Sequence, residues 1–141
     1  MSNVSSDDFK NALGSWAAGV TIVTTEYENE VYGLTVSSFS SLSIDPLLIL
    51  VCIAKGNHME KLLPISRQFA VSILATGQEE ISNTFAISGR DPVRNLGVPC
   101  YTLETGSPII SGSAAWLDCK VRELVDGGDH IIAIGEVLQA G

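Results

Sequence analysis

Two long β-rich segments meet at a tight acidic turn near the end of the chain. The segment SAAWLDCKVRELV spans residues 113–125, HIIAIGEVLQA spans residues 130–140, and the four residues between them read DGGD. Paired glycines allow the positive φ angles that a tight hairpin turn needs. The pattern therefore predicts a long antiparallel hairpin, which any fold proposed for this chain must contain.

Four further β-rich segments favour an antiparallel sheet. VTIVTTE (residues 20–26) and VYGLTVSS (31–38) are separated by the polar YENE, which indicates a second hairpin. LLILVCIA (47–54) has no polar alternation and predicts a strand buried on both faces, and QFAVSIL (68–74) predicts another strand. The strand–helix alternation of a parallel nucleotide-binding sheet is missing, as are the G-x-G-x-x-G and P-loop motifs.

Three short helices are expected before and between these strands. SSDDFKNALGSWAAG (5–19) has apolar residues at helical spacing and a glycine, Gly19, that can end the helix. NHMEKLL (57–63) follows a capping-box pattern and is expected to stop at Pro64. GQEEISNTFAIS (77–88) presents an isoleucine and a phenylalanine four residues apart, as an amphipathic helix does.

The length and composition suit one folded domain over residues 1–141. The chain is 45% hydrophobic and 17% charged, which is typical of a packed globular protein. With the order of segments above, this predicts a mainly β chain whose antiparallel strands form a closed or nearly closed barrel with short inserted helices. No apolar run reaches the roughly 18 residues of a membrane span. The N-terminus lacks a signal-peptide pattern, so a cytoplasmic protein is expected.

Charge and ligand spacing argue against nucleic acid and metal. The formal net charge is -8, and the lysines and arginines are dispersed, so a phosphate backbone would be repelled. Cys52, Cys100 and Cys119 show no metal-ligand spacing, and His58 and His130 are too isolated to form a metal site by themselves. We therefore expect no nucleic-acid partner and no bound metal ion.

The segment GLTVSSFSSLSIDP, residues 33–46, carries hydroxyl groups on one side of a predicted strand. Under two-residue alternation its leucines, valine and isoleucine fall on one face, and most of its hydroxyl-bearing residues fall on the other. One interpretation is a serine-rich edge strand that faces solvent. The other is a ligand platform, because small side chains let a flat ligand approach the backbone and hydroxyls can bind a polyol or phosphate. The pattern alone leaves both open.

Five sequence segments occur in an order that resembles a known family. GVTIVTT and YGLTVSSFSSLSIDPLLILVCIAK are followed by FAVSIL, SAAWLDCKV and GGDHIIAIGEV, over a region from Trp16 to Val137. The chain resembles the flavin reductase-like family of FMN-binding split-barrel proteins. The resemblance implies a Greek-key split β-barrel, commonly a homodimer, that transfers hydride from NADH or NADPH to FMN or FAD. It also implies a partner flavin-dependent monooxygenase that receives the reduced flavin.

The resemblance further implies which residues contact the cofactors. Residues 35–38 would lie along the isoalloxazine ring, the serines after them would approach the ribityl chain or phosphate, and the end of the apolar strand would form a second wall. The FAISGR motif adds an aromatic residue and an arginine, and GGDH places His130, the candidate catalytic residue, on the nicotinamide side. The candidate cofactor-binding residues are Thr35, Val36, Ser37, Ser38, Ser41, Ser43, Cys52, Ile53, Ala54, Lys55, Phe85 and Arg90.

Several of these candidates also have a purely structural interpretation. Lys55 at a strand end fits a solvated lysine, Arg90 fits a loop arginine paired with Asp91 or nearby glutamates, and His130 fits a structural histidine after a turn. Three other functions stay open: a non-enzymatic flavin-binding or redox-storage protein on the same barrel, a split barrel of the pyridoxamine-phosphate-oxidase type, and a β-barrel interaction module.

Overall fold

The computed structural model describes residues 3–141 of the chain. Within that range the backbone forms three helices and nine strands. In chain order they are α1 (Ser6–Leu13), β1 (Thr21–Tyr27), β2 (Glu30–Val36), β3 (Phe39–Ile44), β4 (Leu47–Ala54), α2 (His58–Ser66), β5 (Gln68–Ile73), α3 (Glu79–Phe85), β6 (Cys100–Tyr101), β7 (Ile109–Ile110), β8 (Ala115–Gly127) and β9 (His130–Ala140).

Seven of these strands form one antiparallel sheet in the order β2-β1-β5-β8-β9-β4-β3, and β6 pairs with β7 separately. The neighbours β1 and β5, β5 and β8, and β4 and β9 are all distant in sequence. The chain therefore crosses between its hairpins, as it does in Greek-key folds. The predicted mainly β architecture is confirmed.

Both predicted hairpins are present. Gly127 pairs with His130 at the closed end of the β8–β9 hairpin, and Gly128 in the turn has a φ of 82°. In the β1–β2 hairpin the two turn residues, Glu28 and Asn29, have φ angles of 51° and 65°. A two-residue turn with both φ angles positive matches the right-handed twist of the flanking strands.

The sheet curls around one main apolar core. Residues from both ends of the strand order share this core, and Met59 and Leu63 of α2 are buried in it. The prediction that β4 is buried on both faces is wrong, because alternate residues of β4 face the core while those between them are only half-buried or exposed. The strands with continuous buried runs are instead β1, with five buried residues, and β5, with four; the two are neighbours in the sheet.

The helices differ from the predictions mainly at their ends. α1 ends at Leu13 with Gly14 as its cap, not at Gly19, because Ser15 and Trp16 donate to the carbonyls three residues back in a tighter turn. α2 continues past Pro64 to Ser66, since proline keeps a helical φ and removes only one backbone N–H. α3 is confirmed, and its Phe85 is fully buried.

Candidate functional site

The edge of β2 that faces away from β1 is covered along only part of its length. Val31 exchanges two backbone hydrogen bonds with Val93, with N···O distances of 2.6 and 2.9 Å. The carbonyl oxygen of Gly33 accepts a 2.9 Å hydrogen bond from Nη1 of Arg90. In an antiparallel pair, backbone groups alternate between the two edges of a strand. The N–H and C=O of Thr35, next in this series, therefore face the same edge.

A cavity of about 180 Å³ lies beside this part of β2. It brings together three of the segments predicted to contact the cofactors: residues 35–38, the end of β4, and the start of β9. The residues that line it are Leu34, Thr35, Val36, Ser37, Ser38, Cys52, Ala54, Asn57 and His130. Seven of these nine are among the predicted site residues, so the sequence located most of this wall.

Backbone pairing fixes the three segments relative to one another. The N–H of Cys52 donates a 2.9 Å hydrogen bond to the carbonyl of Ser38, which ties the β2–β3 corner to β4. Ala54 is the register partner of His130, so the end of β4 and the start of β9 are adjacent. The β2–β3 corner, the end of β4 and the start of β9 are therefore held together by backbone hydrogen bonds.

Two larger cavities each share three residues with this central one. A cavity of about 360 Å³ shares Leu34, Ala54 and Asn57 with it and also contains Lys55 and Arg90. On the other side, a cavity of about 440 Å³ shares Ser37, Ser38 and Cys52 with the central cavity. Its other lining residues are mostly apolar: Leu13, Trp16, Ala18, Phe39, Ser40 and Leu50.

Lys55 already has a charged neighbour. Its ammonium group forms a hydrogen-bonded ion pair with the carboxylate of Asp126 near the end of β8. This hydrogen bond raises the pKa of Lys55 and lowers the pKa of Asp126. Because both groups are solvent-exposed, the pair contributes little to the free energy of unfolding. A phosphate group would compete with Asp126 for the same ammonium.

His130 is oriented by the residue before it. Its Nδ1 lies 2.8 Å from Oδ1 of Asp129, and this hydrogen bond lowers the pKa of Asp129. A carboxylate accepts, so Nδ1 is the protonated nitrogen of the ring and Nε2 of the neutral ring is an acceptor. His130 lines the central cavity, and Nε2 is the ring nitrogen that is not bonded to Asp129.

Arg90 is held by two contacts that the sequence did not indicate. Its guanidinium carbon lies 4.5 Å from the ring centre of Phe85 and 5.8 Å from that of Tyr32. Besides the bond to Gly33, these contacts place the guanidinium group against β2. The alternative pairing with Asp91 is not found, because Asp91 instead lies 3.1 Å from Nε2 of His58.

Four predicted residues are placed differently from the rest. Ser41 and Ser43 lie on the outer strand β3 and line none of the three cavities; their cofactor contacts stay a prediction. The side chains of Ile53 and Phe85 are fully buried. A residue with a buried side chain offers a ligand only its backbone, so neither side chain contacts one in this conformation.

Sequence reasoning missed Asn57 as a site residue. Asn57 lines both the central cavity and the cavity of about 360 Å³ that contains Lys55. Its Oδ1 caps α2 by accepting from the N–H of Glu60, and its Nδ2 donates to the carbonyl of Ala54. The capping pattern was visible in the sequence, but the position of the cap beside the end of β4 depends on the pairing of strands that are distant in sequence.

The described part of the chain contains neither a metal-binding cluster nor a membrane-spanning helix. Within residues 3–141, no group of three or more histidine, cysteine, aspartate or glutamate side chains is arranged to hold a metal ion. In the same range, no helix is both long and apolar enough to cross a membrane.

Comparisons with known proteins match nearly the whole chain. A family model described as flavin reductase like domain matches residues 13–141. "Probable flavin reductase" of Rhizobium meliloti is 38% identical over 129 residues, which cover 91% of this chain but only 41% of that protein. The reductase subunit HsaB of a flavin-dependent monooxygenase of Mycobacterium tuberculosis is 35% identical over 129 residues, covering 92% of this chain and 68% of the relative.

A solved structure extends the match to three dimensions. The NADH:FAD oxidoreductase SgcE6 of Streptomyces globisporus C-1027, in complex with NAD and FAD fragments, superposes with a TM-score of 0.88 at 36% identity. The match covers 100% of this chain and 86% of that one. The predicted flavin reductase split barrel is thereby confirmed, and the chain belongs to the flavin reductase-like domain family.

Proposed function

We propose that the protein is a flavin reductase that transfers hydride from NADH or NADPH to FMN or FAD. One observation carries the proposal: the free edge of β2 at Thr35, the corner at Ser37 and Ser38, the end of β4 and His130 surround one cavity. The names of the relatives, which include a flavin reductase and an NADH:FAD oxidoreductase, support it.

The groups around the cavity fit a flat ring with hydrogen-bonding edges. Ser37, Ser38 and Ala54 are small, so a ring can approach the backbone, and Thr35 presents a backbone donor and acceptor to it. The central cavity of about 180 Å³ is smaller than the roughly 300–1,000 Å³ of typical ligand sites. A bound flavin therefore extends from it into the two neighbouring cavities.

The flavin phosphate is assigned to the cavity that contains Lys55. Of the three connected cavities, only this one is lined by a lysine. Lys55 reaches it from the end of β4, directly after the residues that line the ring site. The opposite cavity has an apolar wall that includes Trp16 and Leu13, which suits an uncharged aromatic part of a cofactor.

When bound, the nicotinamide and the flavin supply the hydride donor and acceptor. The chain's task is to hold the two rings at reacting distance and to favour the charge that develops on the reduced ring. The backbone N–H of Thr35 donates to the ring edge in this proposal. His130, with Nδ1 held by Asp129, presents Nε2 to the nicotinamide and seats the donor.

The proposal extends to the oligomeric state, the protein partner and the location of the enzyme. A homodimer would cover Leu13 and Trp16, which are 57% and 79% exposed, and a two-fold pair is the commonest way to cover such a surface. The mycobacterial relative, a reductase subunit of a flavin-dependent monooxygenase, supports a monooxygenase partner that takes the reduced flavin. The proposal also includes one domain over residues 1–141 and a cytoplasmic location.

The relatives favour an enzyme over a flavin store. Those reported above carry reductase or oxidoreductase names, and none of these names describes flavin storage. The two functions differ in one property, because a store binds flavin without accelerating its reduction by a nicotinamide.

Steady-state oxidation of NADH and of NADPH, followed with FMN or FAD as acceptor, tests the proposal. We expect nicotinamide consumption that depends on both the protein and the flavin and that saturates with each. A matched sample denatured by heat supplies the background rate. Flavin binding without any acceleration over that background would reject the reductase and leave a binding protein.

A further inference from the structure

The loop after α3 covers the free edge of β2 up to one defined point. Val93 pairs with Val31 through two backbone hydrogen bonds, and Arg90 donates to the carbonyl of Gly33 two residues further along. Thr35 comes next on the same edge and borders the central cavity. Along β2 in the direction of Thr35, Arg90 is thus the loop residue bonded to the strand nearest to the ligand cavity.

Arg90 is held at this point by a compact stack. Its guanidinium lies over the Phe85 ring at 4.5 Å, a distance at which a cation is attracted to the ring face. Phe85 in turn packs on Gly33, where a Cβ atom would approach the ring to 3.1 Å. The absence of a side chain at Gly33 therefore lets the ring, the strand and the guanidinium lie against one another.

A side-chain hydrogen bond also holds β2 at Thr35, next to the cavity. Oγ1 of Thr35 donates a 2.6 Å hydrogen bond to the carbonyl of Ser82 in α3. Arg90 fixes the backbone two residues before it, and both contacts come from α3 and the loop that follows it. The orientation of the Thr35 N–H and C=O thus depends on how this segment sits on β2.

We propose that Arg90 is a positioning residue for the flavin ring, acting through the Gly33 carbonyl and the backbone of Thr35. This inference rests on the proposed function, since it assigns Arg90 a part in the same site. This positioning role takes the place of a direct contact between Arg90 and the flavin phosphate. One N–H of the guanidinium is bonded to the carbonyl of Gly33, and one face of the guanidinium is covered by the Phe85 ring. The loss of Arg90 therefore weakens binding of the ring itself, with or without a phosphate.

Binding of FMN and of riboflavin, which lacks the phosphate, separates the two roles. Dissociation constants are measured for wild type, Arg90→Gln and Arg90→Lys, well below the temperature at which each protein unfolds. We expect Arg90→Gln to weaken both flavins about tenfold, so that their ratio of affinities is unchanged. Arg90→Lys keeps the charge but loses the planar fork and the stacking, and we expect it to rescue little.

Two further variants complete the design. Phe85→Leu removes the ring face beneath the guanidinium, so we expect a smaller loss with the same unchanged ratio. Arg94→Gln is the matched control, because Arg94 is an exposed arginine in the same segment that lines none of the three cavities. The visible spectrum of each saturated complex supplies a second measure, because altered hydrogen bonding at the ring shifts it whereas a general loss of stability does not.

The binding measurements distinguish failure of the proposed Arg90 role from failure of the proposed function. Selective loss of FMN binding in Arg90→Gln, or wild-type affinity for both flavins, would overturn the positioning role. Equal loss for both flavins with a wild-type spectrum at saturation would overturn it too, because the ring would then be bound in an unchanged way. If wild-type protein binds neither flavin, the proposed function itself fails.

Discussion

Three polar side chains of the proposed site are each bonded to a neighbouring residue. Lys55 pairs with Asp126, His130 with Asp129, and Asn57 with the carbonyl of Ala54. Such neighbours set the direction of a donor or acceptor before a ligand arrives, which lowers the cost of ordering it on binding. Asp126 lies at the end of β8 and Asp129 in the turn that follows, so the closed end of one hairpin affects two of the proposed contacts.

Replacement of His130 separates hydride transfer from flavin binding. We expect His130→Ala to leave flavin affinity within about threefold of wild type and to lower kcat/KM for the nicotinamide at least tenfold, about 1.4 kcal/mol. Asp129→Asn keeps the imidazole but removes its carboxylate partner, so we expect a smaller loss. Steady-state kinetics at saturating flavin measure both effects. Wild-type kinetics in His130→Ala would return this residue to a structural role.

Asp126 competes with a phosphate for Lys55. We expect Asp126→Asn to tighten FMN binding a few-fold and to leave riboflavin binding unchanged, because the freed ammonium meets only the phosphate. Lys55→Gln should have the opposite effect on FMN. The pKa of Asp126 is lowered, so its carboxylate stays ionised through the neutral range and the pair is lost only as the pH falls through that lowered pKa. Calorimetric titration with both flavins measures the difference, and equal changes for FMN and riboflavin would contradict the assignment.

Among the strands, the contact of β9 with β5 and β8 sets a strict limit on side-chain size. A Cβ atom at Gly135 would lie 2.6 Å from Cζ of Phe69 and 3.0 Å from Cβ of Cys119. Phe69 and Cys119 are fully buried, so neither can move away without disturbing the main core. A glycine in the middle of a strand is otherwise unfavourable, and this close approach explains its presence.

Gly135→Ala should therefore destabilise the protein. We expect the free energy of unfolding to fall by about 1–3 kcal/mol, the usual cost of overpacking a core. Gly19→Ala is the control, because a Cβ atom there meets nothing within 4 Å, and we expect a change within about 0.5 kcal/mol. Urea unfolding of both variants measures the difference. Equal free energies of unfolding for the two variants would contradict this, because they would show that β9 can shift away from Phe69 and Cys119 at little cost.

The strands themselves were largely predictable, whereas their partners were not. Glycine pairs, polar turns and apolar runs marked both hairpins, because these signals act within a few residues. The one-sided burial of β4 depends on β3 and β9 as its neighbours, and no local pattern specifies them. Trp16 shows the same limit, since its helical spacing predicted a packed face but the residue is 79% exposed.

The site was predictable to a different degree at each residue. Residues 35–38 were found because alternating hydroxyls leave a pattern, and the resemblance to a family gave that pattern a ligand. The link between Arg90 and Gly33 could not be read from the chain, because it joins positions 57 residues apart. Likewise, the pairing of Lys55 with Asp126 requires the β4–β9 register to be known.

For the protein as a whole, the exposed apolar surface of α1 and Trp16 favours a second copy as its cover. We expect light scattering to give twice the 14.9 kDa chain mass over a wide concentration range. Trp16→Asp should shift the protein towards monomer, because a charge at the centre of an apolar interface is costly. Ile65→Asp, at an isoleucine of α2 that is 54% exposed, is the control. A wild-type monomer at every concentration would contradict the dimer.

The central claim is that residues 35–38, at the end of β2 and the corner after it, hold a flavin while a nicotinamide reduces it. The most direct test follows the visible absorbance of the flavin without oxygen, after NADH is mixed with wild type or with a Ser37→Val, Ser38→Val double variant. We predict rapid bleaching with wild type, and at least tenfold slower bleaching at limiting flavin with the variant, because valines block the approach of the ring to the backbone. Bleaching at the uncatalysed rate with wild type, or at the wild-type rate with a folded variant, would contradict the account.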